Sequence, residues 1–396
     1  MRILSVTETY APFLEFGGPP VKVRALARGL AGLGHEVSVL TADWGVRARM
    51  NSDEGFGAER SPFGWTQKEN GVTAIYLPTW FRYRSLTWNP AVKRFCQTRL
   101  QDFDIAHIYG LYDFLGPAVA NACVRRKIPY VVEPIGMFVP IVRSLQLKKI
   151  YHAWFGGRML AGASAIIATS EQEAEELASG GVARERITLR RNGVEAPTGL
   201  TERGVFRKGL GIAEDPKVVL FLGRLSEKKS PDLLLRAFAS ISEETAGKGL
   251  NLVFAGPDEG GMRARLTQMA AQLGVAAEVY FSGPIFGDAK WAAYRDADVF
   301  VLPSQNENFG NTAAESAAAG TPVVVTECCG VAPLLANVAG LVVPHEVKAL
   351  AAAIKSVVTD NELRTRLAAG CVGVTAQLGW EAPVREMEAL YNNIVL

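Results

Sequence analysis

The sequence predicts an α/β protein made of two doubly wound parallel-sheet domains in series. Short apolar runs alternate with helical patterns along the chain, and this alternation is typical of a parallel sheet covered by helices on both faces. The alternation pauses at residues 192–199, a polar stretch punctuated by glycine and proline, and then starts again. A length of 396 residues is enough for two domains that each bury a core.

Apolar runs and helical periods predict the individual elements. The predicted strands are Ile3–Val6, Val37–Thr41, Ile105–Ile108, Tyr130–Glu133, Ala165–Ala168, Val218–Leu222, Leu250–Ala255, Val279–Phe281, Val299–Leu302 and Pro322–Val325. The predicted helices are Val21–Leu33, Gln172–Ser179, Pro231–Glu244, Met262–Leu273, Asp288–Asp296, Thr312–Ala319 and Trp380–Tyr391. We therefore predict one domain over residues 1–195, a second over 196–376 and a terminal helix within 377–396. Because parallel sheets bind ligands at the carboxyl ends of their strands, two facing sheets would hold a ligand in a central cleft.

Charge and cysteine usage exclude several classes of protein. The 42 basic and 40 acidic side chains nearly balance, which gives no sign of nucleic-acid binding. Five cysteines without a C-x-x-C pair favour a reducing compartment over a disulfide framework or a zinc site. The first residues become polar too quickly for a signal peptide, and no apolar run is long enough to span a bilayer. We therefore expect a cytoplasmic protein.

The strongest chemical signal follows the predicted strand Val299–Leu302. Gly310 and Asn311 break the chain there, and helix-forming residues follow. A strand, a glycine turn and a helix start together present backbone N–H groups and a positive dipole end, which suit a phosphate. Glu307 precedes this turn, and Glu315 lies about one helical turn inside the helix. Carboxylates that flank an anion site suit a ligand with a diphosphate centre and hydroxyl-rich ends.

These residues resemble glycosyltransferase family 4. Glu307 and Glu315 match the two glutamates of the family's E-x(7)-E motif, and Phe309 and Gly310 stand in their usual places. The resemblance implies that Glu315 binds ribose hydroxyls and that Glu307 contacts the transferred sugar and acts in catalysis. The donor-binding residues that it implies in the second domain are Phe309, Gly310, Asn311, Thr312 and Glu315. It also implies the GT-B fold, in which a closing helix crosses back onto the first domain.

A second signal is a pair of cations after the predicted strand Val218–Leu222. Arg224 and Lys229 lie in the loop that follows, with the spacing of the family's catalytic pair. Cleavage of a sugar–phosphate bond builds negative charge on the departing diphosphate, and two fixed cations stabilise that charge most in the transition state. Lys228 is adjacent, but the spacing favours Lys229. Ser230 stands where the family commonly has glycine.

The resemblance is looser in the first domain. Gly17 and Gly18 match a glycine loop near the donor phosphates, where glycine lets the backbone approach a ligand. Ile135 occupies a place where the family often has a histidine, whereas His107 matches an earlier family histidine. His107 is either part of an acceptor or sugar site or a buried histidine with satisfied hydrogen bonds. Glu133 lies at a predicted strand end, and an acceptor or acid–base role and a structural role both stay open for it.

Asp296 and Asp298 spell the D-x-D motif of metal-dependent glycosyltransferases. In those enzymes the motif ends a strand, but here it closes a predicted helix and precedes a strand. We therefore expect both carboxylates to cap the helix and face solvent, and we expect neither a metal nor a cofactor. Asparagine at both positions is expected to be tolerated.

The expected activity is retaining, metal-independent transfer of a sugar from a nucleotide diphosphate-sugar to an acceptor hydroxyl. The resemblance alone implies the stereochemistry, and it implies polysaccharide or lipid-linked glycan synthesis as the setting. The expected partners are the donor and a glycan or lipid-linked acceptor. Two alternatives stay open: a nucleotide-sugar 2-epimerase of the same fold, and a catalytically inactive binding subunit.

A membrane contact is a further hypothesis. Residues 1–195 carry 24 basic and 18 acidic side chains. The segments 80–84 and 137–158 mix large apolar side chains with cations, as interfacial helices do. Each cation near the anionic inner face of a membrane would contribute on the order of 1 kcal/mol. The alternative for residues 141–155 is a core-facing helix with a basic outer side.

Overall fold

The computed structural model describes the whole chain except residues 54, 84–85, 139–150, 196–198, 200–201 and 246–248. The chain divides into two compact units. Unit 1 comprises residues 1–193 and 380–396, and unit 2 comprises residues 194–379. The boundary therefore lies two residues before the predicted one, and unit 2 ends three residues beyond residue 376.

Unit 1 is built on a nine-stranded sheet with the order β11-β10-β9-β8-β1-β2-β5-β4-β3, and it also contains a separate two-stranded hairpin, β6–β7. The strands are β1 Arg2–Val6, β2 Glu36–Ala42, β3 Glu59–Ser61, β4 Gly64–Glu69, β5 Val72–Leu77, β6 Phe81–Tyr83, β7 Leu86–Trp88, β8 Ile105–Tyr109, β9 Tyr130–Glu133, β10 Ala165–Ala168 and β11 Ile187–Leu189. All neighbours from β11 to β5 run parallel, whereas β4 and β3 are added antiparallel at one edge.

Unit 2 has a six-stranded parallel sheet with the order β14-β13-β12-β15-β16-β17. Its strands are β12 Lys217–Leu222, β13 Leu250–Ala255, β14 Val279–Gly283, β15 Val299–Leu302, β16 Val323–Thr326 and β17 Gly340–Val343. Strands β12, β13, β15 and β16 are predominantly apolar and almost fully buried. This is the pattern expected of a parallel sheet that helices cover on both faces.

Helices follow most strands, and the seven predicted helices lie within about four residues of their predicted bounds, whereas the other helices were not predicted. In unit 1 the α-helices are α1 Gly18–Gly32, α2 Val46–Ser52, α3 Ala91–Thr98, α4 Leu115–Arg126, α5 Gly157–Gly162 and α6 Glu171–Ser179. In unit 2 they are α7 Val205–Gly209, α8 Pro231–Thr245, α9 Met262–Gln272, α10 Gly287–Asp296, α11 Asn311–Ala318, α12 Ala332–Leu335, α13 Val347–Thr359 and α14 Asn361–Thr375. The last helix, α15, spans Glu381–Val395 and belongs to unit 1.

The terminal helix α15 packs on α1. Val384, Met387 and Tyr391 are buried in this contact. Gly29 makes it close, because a Cβ on this glycine would lie only 2.4 Å from Cγ2 of Val384. At the helix surface, Nε2 of His35 lies 2.9 Å from Oε1 of Glu388. Apolar burial and polar contacts such as this one therefore hold the last helix within unit 1.

The described helices are also informative about membranes. None of them combines the length and the apolar character that a bilayer crossing requires.

Candidate active site

The candidate site in unit 2 lies where the order of the strands reverses. Strands β12 and β15 are neighbours, but the chain continues from β12 toward one edge of the sheet and from β15 toward the other. In open parallel sheets such a switch point forms a ligand-binding crevice at the carboxyl ends of the strands. Arg224 and Lys229 follow β12, and Glu307 follows β15. The three residues predicted to be catalytic thus belong to the two loops that border this crevice.

Lys229 and Glu307 form a direct ion pair. The ammonium group of Lys229 bonds to Oε2 of Glu307, and the hydroxyl of Ser304 lies 3.4 Å from the same oxygen. Burial by itself would raise the pKa of Glu307, but the Lys229 charge outweighs burial and lowers that pKa below its ordinary value. Glu307 is therefore ionised at neutral pH. Lys229, the residue favoured by spacing, is the lysine that reaches Glu307.

Ser230 carries a backbone conformation that favours glycine. Its φ is +47°, in the left-handed region. The Ser230 hydroxyl lies 3.0 Å from Nε2 of His345, which helps to hold the residue in place. Serine therefore adopts the left-handed conformation in place of the family's glycine. The turn that it forms ends the 3-10 segment Glu227–Lys229 and leads into helix α8.

Arg224 is the exposed cation of the site. Its side chain is 66% exposed, and Nη1 lies 3.7 Å from Oε2 of Glu259. The loops that carry Arg224 and Glu259 touch at Gly256, where a Cβ would lie 1.9 Å from the carbonyl oxygen of Gly223. Only glycine allows this approach. An exposed guanidinium with one distant surface partner keeps donors available for an anion.

The start of helix α11 has the features predicted for an anion site. Gly310 precedes the helix with φ +99°, and Phe309 beside it is buried in the core of unit 2. The carbonyl oxygen of Phe309 accepts a hydrogen bond of 2.7 Å from the N–H of Val331, which anchors the turn. The hydroxyl oxygen of Thr312 is buried and has no hydrogen-bond partner in the described part of the chain. Asn311 is the first residue of the helix.

Two residues that the sequence analysis missed hold Glu315. Nζ of Lys290 lies 2.7 Å from Oε1 of Glu315, and the hydroxyl of Tyr294 donates to Oε2 at 2.9 Å. Lys290 and Tyr294 lie four residues apart on α10, so both reach the same neighbour. Nothing in the local sequence signals this contact, because it depends on how α10 packs against α11.

The glycine loop belongs to unit 1. Gly17 has φ +106° and ψ −150°, a conformation essentially restricted to glycine, and α1 begins at Gly18. A Cβ on Gly17 would meet no atom within 4 Å. The backbone conformation, and not crowding, therefore requires glycine at position 17. The family resemblance implies that this loop lies near the donor phosphates, and that role stays a prediction.

His107 and Glu133 are fully buried in unit 1. Glu133 bonds to the ammonium group of Lys22 and, at 2.6 Å, to Nη2 of Arg190. Burial would raise the pKa of Glu133, but these two cations hold it well below its usual range. His107 places Nε2 3.5 Å from Glu133 and Nδ1 2.6 Å from the hydroxyl of Tyr391. Two cations thus hold Glu133, whereas Nε2 of His107 has no hydrogen-bond partner in the described part of the chain, and the roles left open for both residues stay predictions.

The expectation that Asp296 and Asp298 face solvent is wrong. Asp296 accepts backbone hydrogen bonds from residues 204, 206 and 207 at the start of α7, so the capping role is correct for a different helix. Asp298 pairs with Arg207 at 2.7 Å and with Lys217 at 3.1 Å. Both carboxylates are buried, because residues 204–218 fold over them and supply the donors. Asparagine is therefore not expected to be tolerated at Asp296 or Asp298.

The fold and the site together define a two-domain α/β protein of the GT-B class of glycosyltransferases. Residues 202–370 match the family "Glycosyl transferases group 1", and residues 17–193 match "Glycosyl transferase 4-like domain". The D-inositol 3-phosphate glycosyltransferase 1 of Catenulispora acidiphila is 32% identical over 308 residues, 74% of this chain and 73% of that protein. The chain belongs to glycosyltransferase family 4, within the group 1 glycosyltransferases.

Other comparisons agree with this assignment. An uncharacterized glycosyltransferase of Methanocaldococcus jannaschii is 29% identical over 348 residues, 85% of this chain and 83% of that protein. The crystal structure of HepE from Anabaena, in complex with UDP and glucose, covers 99% of this chain and 100% of its own with a TM-score of 0.76. Because the sequence identity to HepE is 19%, this likeness concerns the fold alone.

Proposed function

We propose that this glycosyltransferase transfers a sugar from a nucleotide diphosphate-sugar, bound by unit 2, to a hydroxyl of an acceptor bound mainly by unit 1. The observation that carries the proposal is the Lys229–Glu307 ion pair at the switch point of unit 2, beside the glycine turn that starts α11. An anchored cation, a carboxylate and a helix start are the groups that a diphosphate joined to a sugar requires.

Each group has a proposed task. Arg224 and Lys229 stabilise the charge that builds on the departing diphosphate, while the turn at Gly310 and the amides at the start of α11 receive its oxygens. The buried hydroxyl of Thr312, which lacks a partner among the described residues, is a donor that a phosphate or sugar oxygen would satisfy. Glu307 contacts the transferred sugar and, through its ion pair, keeps the ammonium group of Lys229 in place.

Two finer properties are proposed with this assignment. The reaction retains the configuration of the transferred sugar, as the family resemblance implies. It needs neither a metal nor a cofactor, because two cations and a helix start take the place of a metal in neutralising the diphosphate. We expect full activity in EDTA. Loss of activity on chelation, with recovery on addition of manganese, would refute metal independence.

The experiment that tests the activity has two stages. Thermal-shift measurements with UDP-, GDP- and ADP-sugars identify the donor, since the matching ligand raises the melting temperature by mass action. Product analysis with and without acceptor then distinguishes transfer from 2-epimerisation and from an inactive binding subunit. A lipid-linked glycan is the first acceptor to assay. The name of the Catenulispora relative makes D-inositol 3-phosphate the second. An epimerised sugar formed without acceptor would refute transfer.

We propose a peripheral contact with the inner face of a membrane, in the polysaccharide or lipid-linked glycan synthesis that the family resemblance implies, and an aromatic patch supports the membrane contact. Trp80 is 78% exposed, and Phe81 and Trp88 of the β6–β7 hairpin are also exposed. Ring contacts of 5.8 and 5.9 Å run from Trp88 through Phe114 to the exposed Phe155. Trp and Tyr side chains are enriched at membrane interfaces because they combine an apolar ring with a polar N–H or O–H group. Residues 139–150 of the proposed membrane segment lie outside the described residues.

The membrane contact is tested by sedimentation with vesicles. The wild-type protein is expected to pellet with phosphatidylglycerol vesicles at low salt and to stay in solution with phosphatidylcholine alone. The double variant Trp80→Ser/Phe81→Ser should lose most of this binding, whereas Val372→Ser, an exposed apolar residue of unit 2, should not. Equal binding by all three proteins would show that the hairpin does not contact lipid.

A further inference from the structure

The carboxylate of Glu315 is held at both oxygens by donors from one helix. Lys290 bonds to Oε1 at 2.7 Å and Tyr294 bonds to Oε2 at 2.9 Å. The carboxylate lies in the second turn of α11, and its side chain is 14% exposed. It is thus fixed in orientation while one side remains open to a ligand.

Tyr294 is the rigid member of this arrangement. Its side chain is fully buried, and its ring meets that of Phe300 edge to face at 5.6 Å. Its backbone carbonyl accepts a 2.7 Å hydrogen bond from the hydroxyl of Thr321. Burial and the charge of Glu315 raise the pKa of Tyr294 well above its ordinary value, so the phenol stays a donor. Lys290 is partly exposed and supplies positive charge at the other oxygen.

The hydrogen-bonding capacity of a carboxylate exceeds what these two donors use. A carboxylate offers about four lone-pair sites, two on each oxygen. Lys290 and Tyr294 fill one on each oxygen of Glu315. Among the described residues, one acceptor site therefore remains on each oxygen of the same carboxylate. This is the arrangement that two adjacent hydroxyl groups, such as the 2′ and 3′ hydroxyls of ribose, can satisfy together.

We propose that Lys290 and Tyr294 are positioning residues that aim the two remaining acceptor sites of Glu315 at the ribose diol, and that they thereby set selectivity for ribonucleotides over deoxyribonucleotides. This inference rests on the proposed nucleotide diphosphate-sugar donor. A site built to bond a ligand hydroxyl rejects the analogue that lacks it, because a polar group of the protein is then left unpaired. Neither residue touches the nucleotide in this scheme, so both act through Glu315.

The test measures discrimination between two ligands by each protein. Isothermal titration calorimetry first finds which of UDP, GDP and ADP binds the wild-type protein most tightly. The same diphosphate and its 2′-deoxy form are then titrated into wild type, Tyr294→Phe and Lys290→Met. Tyr280→Phe and Lys348→Met are the matched controls in unit 2. A loss of folded protein reduces the amount of binding-competent protein equally in both titrations. The ratio of the two affinities within one variant is therefore unaffected by it.

The wild-type protein and both controls are expected to prefer the ribonucleotide by about 10-fold, the effect of roughly one hydrogen bond to a charged group. Tyr294→Phe and Lys290→Met should each reduce the preference to below about threefold. If the wild type binds and prefers the ribonucleotide but both variants keep that preference, the inference fails and the proposed function stands. Tighter binding of both ligands by Lys290→Met would also overturn it, because Lys290 would then compete with the ligand. If no diphosphate binds the wild type, both proposals fail.

Discussion

The hydroxyl of Tyr391 lies 2.6 Å from Nδ1 of His107 and joins the last helix of the chain to a central strand of unit 1. Both side chains are fully buried. Burial lowers the pKa of His107, so the imidazole is neutral and Nδ1 can accept a hydrogen bond from the Tyr391 hydroxyl, while Nε2 lies 3.5 Å from Oε2 of Glu133 and has no hydrogen-bond partner among the described residues. This contact connects residues that are 284 positions apart in the chain. His107 in turn lies beside the buried ion pair of Glu133 with Arg190.

Tyr391→Phe should loosen helix α15 on unit 1. Removal of the hydroxyl leaves Nδ1 of a buried histidine without a partner, which costs about 1 to 2 kcal/mol. Amides within Glu381–Val395 should exchange with solvent roughly 5- to 30-fold faster, as measured by hydrogen–deuterium exchange. Helix α13 in unit 2 serves as the internal control and should be unchanged. Unaltered exchange in α15 would show that apolar packing alone holds the helix.

Arg224→Ala and Lys229→Ala should each lower turnover by roughly 100-fold or more, the effect of losing one charge-stabilising group. The physical reason is the negative charge that builds on the departing diphosphate next to these cations. Steady-state kinetics with the identified donor provide the measurement. Arg366→Ala, which removes an exposed cation from α14, is the control and should retain near-normal turnover. Near-normal turnover in both site variants would refute their assignment.

Glu307→Gln and Glu315→Gln should affect different kinetic constants. Glu315 is proposed to meet the ribose, away from the bond that breaks, so its loss should raise KM with little change in kcat. Glu307 is proposed to meet the sugar whose ring gains positive character, and it also holds Lys229, so its loss should lower kcat. Both variants are measured over the same range of donor concentration. Defects of the same kind in both would contradict the division of roles.

Asp298→Asn should destabilise unit 2. The substitution removes the negative charge that faces Arg207 and Lys217, and Arg207 is almost fully buried. Loss of one partner from a buried ion pair costs about 3 to 5 kcal/mol. Chemical denaturation, monitored for each unit separately, should show a lower free energy of unfolding for unit 2 only. Asp215→Asn removes an exposed carboxylate of the same unit and is the control. Wild-type stability of Asp298→Asn would contradict the buried pairing.

Glu8→Gln should make the protein more resistant to alkaline pH. Burial and the nearby Asp113 raise the pKa of Glu8 from 4.5 to about 9. The folded state therefore binds this proton more tightly than the unfolded state. Its stabilisation is complete below about pH 4.5 and is lost as the pH rises through about 9.

Glutamine has no proton to lose, so the stability of Glu8→Gln relative to wild type should increase between pH 5 and pH 9. Melting temperatures at about pH 5, 7 and 9 provide the measurement, over the window in which the linkage acts. Glu185→Gln, an exposed substitution, is the control and should follow the wild type. Parallel curves for wild type and Glu8→Gln would show that Glu8 is not protonated in the folded state.

Strands and the loops that follow them were predictable from local sequence. A strand buried on both faces must be a continuous apolar run, so Val299–Leu302 and its neighbours stand out in the sequence. Strands β3 and β4, at one end of the sheet, were missed because they consist largely of polar residues and are partly or fully exposed along most of their length, and the more apolar strands β5 and β17 were missed as well. The pairing of Lys229 with Glu307 was not predicted, because it requires β12 and β15 to be neighbours and the order of strands in a sheet depends on long-range pairing.

The sequence by itself indicated the two α/β domains through the period of its apolar residues, and it singled out Arg224, Lys229, Glu307 and Glu315 as candidate site residues through their place after strands and the resemblance to a family motif. Only the tertiary structure decided what surrounds these residues. The contact of Lys290 and Tyr294 with Glu315 and the burial of Asp298 depend on elements that meet after folding. The reason is physical: whether a charge is solvated or paired depends on three-dimensional neighbours, and spacing along the chain does not specify them.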